Sequence, residues 1–186
     1  MVLGKHSGRA AVKAKVEELG YRLDEEQVGV VSDAVKRLAD KKKKIFDEDV
    51  EALVLEEVFR IPDKYRLKYV HVQSGNLSVP PTAAVVMDVD NQERKLSTFG
   101  VGPVDAVFNT ISEIIDRKPE LLEFQISAVT GGTDALGEVT VKIEEEGRTA
   151  IGRGSDGDVI VASAKAYLNA LNRLTKAQEE RKCATL

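Results

Sequence analysis

Two glycine-containing segments in the second half of the chain have the composition of anion-binding sites. Gly100-Val101-Gly102 and Gly152-Arg153-Gly154 each follow a strand pattern and precede a helix pattern. A glycine pair at a helix N-terminus leaves main-chain N–H groups open to an anion, and the helix dipole favours negative charge there. Asp105 and Asp158, one near each pair, could receive an ammonium group. Because an amino acid carries both charges, the two segments predict two equivalent amino-acid sites.

A third segment could surround the apolar part of such a ligand. Residues 130–137 read Thr130-Gly131-Gly132-Thr133-Asp134-Ala135-Leu136-Gly137, a run of small and apolar side chains with one carboxylate. The alternative is structural: the glycines of all three segments make tight turns, and the aspartates serve as helix N-caps. The residues alone leave both interpretations open.

Residues suited to catalysis are sparse. The two histidines, His6 and His71, are far apart in sequence and lack the spacing of metal ligands. The one cysteine, Cys183, can form no disulfide within the chain, which fits a reducing cytosol. His6 lies in the segment 4–9 beside a predicted helix start. It is either an exposed residue near the terminus or one presented to the active site of another chain. This content favours a binding or regulatory module.

Charge and hydropathy exclude two classes of partner. The net charge is −4 and the isoelectric point is about 5.4, with acids and bases interspersed. A nucleic-acid binder needs a concentrated basic surface, and the only basic run, Lys41–Lys44, is typical of a solvated helix end. No apolar run approaches the ~20 residues that span a bilayer. The sequence therefore predicts neither nucleic acid nor membrane as a partner.

The elements that position these segments change type near residue 64. Before it, apolar residues recur at helical spacing in three stretches. Ser7 is the predicted N-cap of the first helix and Gly20 its end, while Asp24 and Asp47 open the second and third. The third is predicted to end at Ile61-Pro62.

After residue 64 the period is 2, and a strand-and-helix pattern occurs twice. The predicted strands are Leu67–Gln73, Ala83–Val89, Glu93–Phe99, Leu121–Val129, Glu138–Glu144 and Arg148–Gly152, with helices from Pro103 and from about Asp158. We therefore predict an α+β fold. A helical linker subdomain (1–62) precedes a domain (63–186) of two βββα repeats, about 64–118 and 121–178, related by a pseudo-twofold axis.

Seven segments, in order along the chain, resemble the region that follows the catalytic barrel in the 2-isopropylmalate synthase family. They are Gly4–Arg9, Leu38–Lys42, Phe46-Asp47, Val72–Gly75, Gly102–Val107, Asp134–Gly137 and Ala162–Ala166. The resemblance covers essentially the whole chain.

This resemblance implies a regulatory role. In that family a (β/α)8 barrel with a divalent metal condenses acetyl-CoA with 2-oxoisovalerate in leucine biosynthesis. The barrel has no counterpart in this sequence, so we expect the chain to be inactive alone and to hold no cofactor or metal. The family's C-terminal domain binds leucine at a homodimer interface and lowers activity. A cytoplasmic location is also implied.

The resemblance also implies site residues. His6 would act as an auxiliary catalytic residue on the partner chain. The effector contacts would be Gly100, Gly102, Val104, Asp105, Ala106, Val129, Gly131, Asp134, Ala135, Leu136, Gly152 and Gly154. Three alternatives remain open: the isoleucine-binding region of a citramalate synthase, a dimerisation module that binds no ligand, and an independent enzyme that uses His6.

Overall fold

The computed structural model has an α+β fold in two compact units. One unit comprises residues 1–62 with 176–186, and the other comprises residues 63–175. The residues that the structure describes are 7–41, 44–59, 62–76, 78–128 and 136–184.

The first unit is helical. Its elements are α1 (Arg9–Glu18), α2 (Glu25–Lys41), α3 (Asp47–Val54) with a π-helical turn (Leu55–Phe59), and the end of α5 (Val159–Ala184) from residue 176 onward. The hydrophobic core of this unit is a cluster of buried residues: Val12, Val16, Tyr21, Val31, Val35, Ile45, Val50, Val54, Leu55 and Ala177.

The helix starts in this unit depend on local hydrogen bonds. The predicted Ser7 cap of α1 is wrong, because Gly8 is the N-cap and its carbonyl accepts the first helical N–H groups. Asp24 precedes α2 and forms a reciprocal pair with Gln27, whose N–H donates to the Asp24 carboxylate at 2.8 Å. Gly20, after α1, has a φ of +91°, a left-handed conformation that suits glycine.

A buried lysine joins two of these helices. Lys15 in α1 is 1% exposed, and its ammonium lies 2.8 Å from the Glu18 carboxylate and 3.1 Å from that of Asp47. Hydrogen bonding to Glu18, and then to Asp47, raises the pKa of Lys15 against the effect of burial. The pairing is consistent with the need to compensate a charge inside an apolar core.

The second unit contains two three-stranded antiparallel sheets. The first sheet, in the order β1-β2-β3, is built from Tyr65–Gln73, Thr82–Val89 and Gln92–Phe99. The second, in the order β4-β5-β6, is built from Glu120–Ala128, Gly137–Glu145 and Arg148–Asp156. Helix α4 (Pro103–Ile115) follows the first sheet, and α5 follows the second. The predicted class, with a helical segment followed by two βββα repeats, is confirmed.

Alternation along the central strands places one face of each sheet in the core. Ala83, Val85 and Met87 of β2 are fully buried, as are Val139, Val141 and Ile143 of β5. The same core contains the apolar stripe of α4 and the small-residue face of α5. Its helical members are Ala106, Val107, Phe108, Ile111, Ile114, Ala162, Ala164, Ala166, Tyr167, Leu168, Ala170, Leu171 and Leu174.

The sequences of the two repeats can be aligned through equivalent turns. The β2–β3 turn has positive φ at Asp90 and Asn91, and the β5–β6 turn has positive φ at Glu146 and Gly147. Gly102 and the equivalent Asp158 each accept the first N–H bond of the following helix, from Ala106 and Ala162. Equivalent residues in this part of the repeats are therefore 56 positions apart.

Side chains of one repeat bind the other. The Asn172 side chain of α5 accepts the Tyr65 N–H at 2.9 Å and donates to the Tyr65 carbonyl at 2.8 Å. The Phe108 ring of α4 contacts Phe124 of β4 edge-on and stacks on Tyr167 of α5 at 4.3 Å between centroids. The two sheet-and-helix modules thus share one core.

Arg117, between the repeats, makes a second junction. Its guanidinium binds the Glu145 carboxylate through Nε and Nη2, and Nη1 donates to Thr175 Oγ1 at 2.6 Å and to the Tyr65 hydroxyl at 3.3 Å. The fork geometry of arginine suits this two-atom recognition of a carboxylate. These bonds connect the start of β1, the end of β5 and the body of α5.

Candidate functional site

The start of α4 is built from a turn that requires glycine at its first position. A Cβ on Gly100 would lie 2.2 Å from the Ala106 nitrogen, so the β3–α4 turn can approach the helix only without a side chain there. The Gly100 N–H donates to the Pro81 carbonyl at 3.0 Å, which fixes the turn to the β2 side of the sheet. Ala106, a predicted effector contact, is fully buried beneath this turn and presents no surface to a ligand.

The Asp105 carboxylate holds this turn together. Its Oδ2 accepts the Val101 N–H at 2.8 Å and the Asn109 side-chain amide at 3.1 Å. Asn109 also donates to the Phe99 carbonyl at 3.3 Å. Asp105 therefore has a structural role, although it is not the helix N-cap that was the alternative to ammonium binding. Any ligand would meet a carboxylate already engaged by main-chain and amide donors.

The N-terminus of α4 has no side-chain cap. Gly102 is the N-cap in an extended conformation, and without a side chain it supplies no acceptor for the N–H groups of Val104 and Asp105. Pro103 occupies the first turn, where its missing N–H costs nothing. Beside this turn, the Val101 side chain is 95% exposed. The arrangement leaves uncapped main-chain donors at the positive end of a helix dipole, next to an exposed apolar side chain.

The predicted turn at Gly152 and Gly154 is wrong. Both residues lie inside β6, which continues to Asp156, and α5 begins only at Val159. A Cβ on Gly152 would lie 2.0 Å from the Ala166 carbonyl oxygen, and one on Gly154 would lie 2.3 Å from that of Ala162. These glycines are buried where α5 crosses the strand closely, so they are not donors at a helix start.

The start of α5 is already capped. The Asp158 carboxylate accepts the Ile160 N–H at 2.7 Å, and Asp156 accepts the Asp158 N–H at 3.0 Å. Lys165 lies 2.7 Å from the second oxygen of Asp156. The Asp158 bond, with help from Lys165, lowers the pKa of Asp156. The prediction of two equivalent anion sites is therefore wrong, because Asp158 caps the start of α5 whereas the start of α4 has no side-chain cap.

Several predicted site residues lie outside the described residues. They are His6, Val129, Gly131, Asp134 and Ala135. Leu136 is described and is 46% exposed. The next residue, Gly137, approaches the start of α5, since its Cβ would lie 3.1 Å from Val159. The structure thus brings Gly100, Gly102, Val104 and Asp105 together at α4, and it brings Gly137 close to the start of α5.

A cleft that the sequence analysis did not predict runs along the outer side of α4. It has a volume of about 400 Å³ and is lined by Phe99, Asn109, Ser112, Glu113, Asp116, Arg117 and Lys118. The signal for it was present in the sequence. Polar residues recur at helical spacing on α4, opposite the apolar stripe.

Among the described residues, no group of three or more His, Cys, Asp or Glu side chains is arranged to hold a metal ion. Within the same described ranges, none of the helices has the length and apolar character needed to cross a membrane.

Comparison with known proteins identifies the family. Residues 44–175 match the family described as the LeuA allosteric (dimerisation) domain, and residues 1–43 match the homocitrate synthase post-HMGL domain-like family. Three curated relatives are each named 2-isopropylmalate synthase. The protein of Nitratidesulfovibrio vulgaris is 61% identical over 97% of this chain and 35% of its own length. The protein of Solidesulfovibrio magneticus is 55% identical over 100% of this chain and 36% of its own length. The protein of Syntrophus aciditrophicus is 51% identical over 94% of this chain and 34% of its own length.

The chain spans about a third of the length of these relatives. The resemblance inferred from the motifs is confirmed by matches that together cover residues 1–175. From residue 44 to residue 175, the chain therefore belongs to the family of allosteric (dimerisation) domains that occurs in 2-isopropylmalate synthases.

Proposed function

We propose that this chain is the leucine-sensing, feedback-inhibition region of a 2-isopropylmalate synthase and acts as a homodimer. The whole enzyme would condense acetyl-CoA with 2-oxoisovalerate in the cytoplasm, in a catalytic barrel that holds a divalent metal. The chain alone would be inactive. The family description of residues 44–175 as allosteric and dimerising, together with the name of the relatives, supports this proposal.

The observation that carries ligand binding is the uncapped start of α4. The N–H groups of Val104 and Asp105 meet no side-chain acceptor from Gly102, and the helix dipole favours an anion at that point. The carboxylate of a free amino acid fits this need, and the exposed Val101 beside it offers apolar contact to an aliphatic side chain. The equivalent start of α5 supplies its own carboxylate from Asp158, so we expect one site in each chain.

Inhibition follows if leucine prefers one arrangement of the dimer. A ligand shifts an equilibrium only by the difference in its affinity for the two states, so leucine must bind the inhibited arrangement more tightly. Such coupling is typically worth about 1–3 kcal/mol. His6 would approach the catalytic centre of the partner chain in the active arrangement.

Isothermal titration calorimetry tests the proposal. Leucine should bind at millimolar concentration or below, and isoleucine and valine should bind more weakly. Leucinamide, which lacks the carboxylate, should give no heat if main-chain N–H groups hold that carboxylate. Tighter binding of isoleucine would instead identify the region of a citramalate synthase. No heat with any of the three amino acids would contradict ligand binding and leave a dimerisation module.

A further inference from the structure

The second unit has four strands at sheet edges, and side chains of α5 bind main-chain groups of two of them. In β6, the Arg153 N–H donates to the Asn169 side chain at 3.4 Å, and the Ile151 carbonyl accepts from Arg173 at 2.6 Å. In β1, both main-chain groups of Tyr65 are bound by Asn172. Side chains of α5 therefore bind main-chain groups of β6 and of the first residue of β1, while on β3 the Asn109 amide of α4 binds the carbonyl of the last residue, Phe99. We take β4 and the body of β3 as candidates for pairing with another chain.

Strand β4 has only part of the usual protection of an exposed edge, namely two acidic residues and a bulge between Leu121 and Glu123. Edge strands of monomeric proteins usually carry Lys or Pro, which discourage pairing with another chain. Between Glu120 and Ala128 there is no Lys, Arg or Pro, and the charged side chains are Glu120 and Glu123. Large apolar side chains are about half exposed along the strand: Leu121 at 44%, Leu122 at 48% and Ile126 at 50%.

Strand β3 complements β4 in charge and in apolar surface. It carries the exposed cations Arg94 and Lys95 beside one exposed acid, Glu93, whereas the charged residues of β4 are both acids. Its own exposed apolar side chains are Leu96, at 39%, and Phe99, at 58%. Opposite charges on neighbouring strands favour pairing, and like charges oppose it. Pairing of β4 with β3 is therefore favoured over pairing of β4 with a second β4, in which Glu residues would meet only neutral or acidic neighbours.

The cleft along α4 adjoins one end of β3 and the residues that lead into β4. The cleft along α4 extends from Phe99, the last residue of β3, to Lys118, two positions before β4. A second copy of the chain offers its β3 to this β4 and its β4 to this β3. A twofold axis satisfies both contacts at once, because whatever β4 of one chain touches on its partner, the partner's β4 touches in return.

We propose that β4 pairs with β3 of a second copy of this chain, twice across a twofold axis, so that each sheet continues into a sheet of the partner. The inference rests on the dimer in the proposed function and identifies the strands that form it. Main-chain bonds along the strands would provide affinity, and the pairing of Lys95 with Glu123 would select the partner edge.

Sedimentation velocity on the chain, at a series of concentrations, tests the interface. Ile126→Lys introduces a charge at the centre of the exposed apolar surface of β4 and should convert the dimer to a monomer. The matched control is Tyr69→Lys on β1, the edge strand whose first residue is bound by Asn172 of α5. The Tyr69 side chain is 57% exposed, and this variant should remain dimeric. Circular dichroism would check that each variant keeps the wild-type fold.

A charge exchange tests the choice of strand even if Ile126→Lys fails to fold. Glu123→Lys should raise the dimer dissociation constant by about tenfold or more, and adding Lys95→Glu to the same chain should restore it. If Glu123→Lys and a folded Ile126→Lys both dimerise like wild type, the interface is wrong. If Glu123→Lys weakens the dimer and Lys95→Glu does not restore it, the assignment to β3 is wrong.

The same experiments separate this inference from the proposed function. A wild-type chain that stays monomeric overturns the interface and the dimer together, while leucine heat in calorimetry would still support ligand binding. A wild-type dimer that binds leucine, with all β4 variants still dimeric, overturns the interface alone.

Discussion

The main chain of Tyr65 is bound at both its N–H and its carbonyl by the side chain of Asn172, a residue 107 positions later. Both residues are buried, at 3% and 5% exposure. The amide of Asn172 therefore takes the place of a strand neighbour at the start of β1. This relationship connects the first strand of one repeat to the helix of the other.

Asn172→Ala should destabilise the chain by about 1–3 kcal/mol, because it leaves a buried N–H and a buried carbonyl without partners. Asn172→Asp should also destabilise it, because a carboxylate accepts from Tyr65 N–H but cannot donate to the carbonyl. Urea unfolding measures both changes. Asn169→Ala is the control, since that side chain is half-buried and its bond is 3.4 Å long, and it should cost less. Equal losses for Asn172→Ala and Asn169→Ala would contradict the role of Asn172.

Gly154→Ala should lower the free energy of unfolding by about 1–3 kcal/mol, the usual range for overpacking, because its Cβ would lie 2.3 Å from the Ala162 carbonyl oxygen. Either β6 or α5 must then move. Gly157→Ala is the matched control, since a Cβ there meets no heavy atom within 4 Å. Thermal or urea unfolding compares the two variants. A Gly154→Ala protein as stable as Gly157→Ala would show that α5 does not cross the strand so closely.

Asp156 makes stability depend on pH at the acidic end. Its pKa in the folded chain is below the ordinary value of 3.8, chiefly because it accepts the Asp158 N–H and also because it pairs with Lys165. The ionised carboxylate therefore contributes stability above the pKa of the unfolded chain, and this contribution is lost as pH falls through the folded pKa. Wild type should be more stable than Asp156→Asn at neutral pH, and the difference should shrink below about pH 4. A difference that does not change with pH would refute this assignment.

The β2–β3 and β5–β6 hairpins and the order of all six strands could be predicted from alternation, because Val85, Met87, Val141 and Ile143 mark one buried face in each repeat. The continuation of β6 to Asp156 could not be predicted in this way. Beyond Ile151 its inward positions are glycines, so the hydrophobic signal of a strand disappears where the strand packs most closely against α5. Small residues at every second position, Ala150, Gly152 and Gly154, are the pattern that indicates such a strand.

The candidate site at α4 stays a prediction, whereas the equivalent site at α5 was predicted wrongly. The glycine pairs looked equivalent because both precede a helix, but the position equivalent to Gly102 is Asp158. The hydrogen bonds between Tyr65 and Asn172 also could not be predicted from the sequence, since no local pattern relates residues so far apart. Only the packing of one repeat on the other brings them together.

Gly102→Asp tests the central claim, that uncapped N–H groups at the start of α4 hold the carboxylate of an amino acid. The extended conformation of Gly102 suits an aspartate N-cap, so the substitution would reproduce Asp158 in the other repeat. Gly102→Asp should stabilise helix α4, or at least not destabilise it. The control is Gly102→Ala, whose Cβ meets no heavy atom within 4 Å.

The decisive measurement is the calorimetric affinity for leucine of wild type and Gly102→Asp, with unfolding curves for both. The account predicts a folded variant, as stable as wild type or more so, whose affinity falls by about tenfold or more because a carboxylate already occupies the donors. A folded Gly102→Asp protein that binds leucine as tightly as wild type would contradict it.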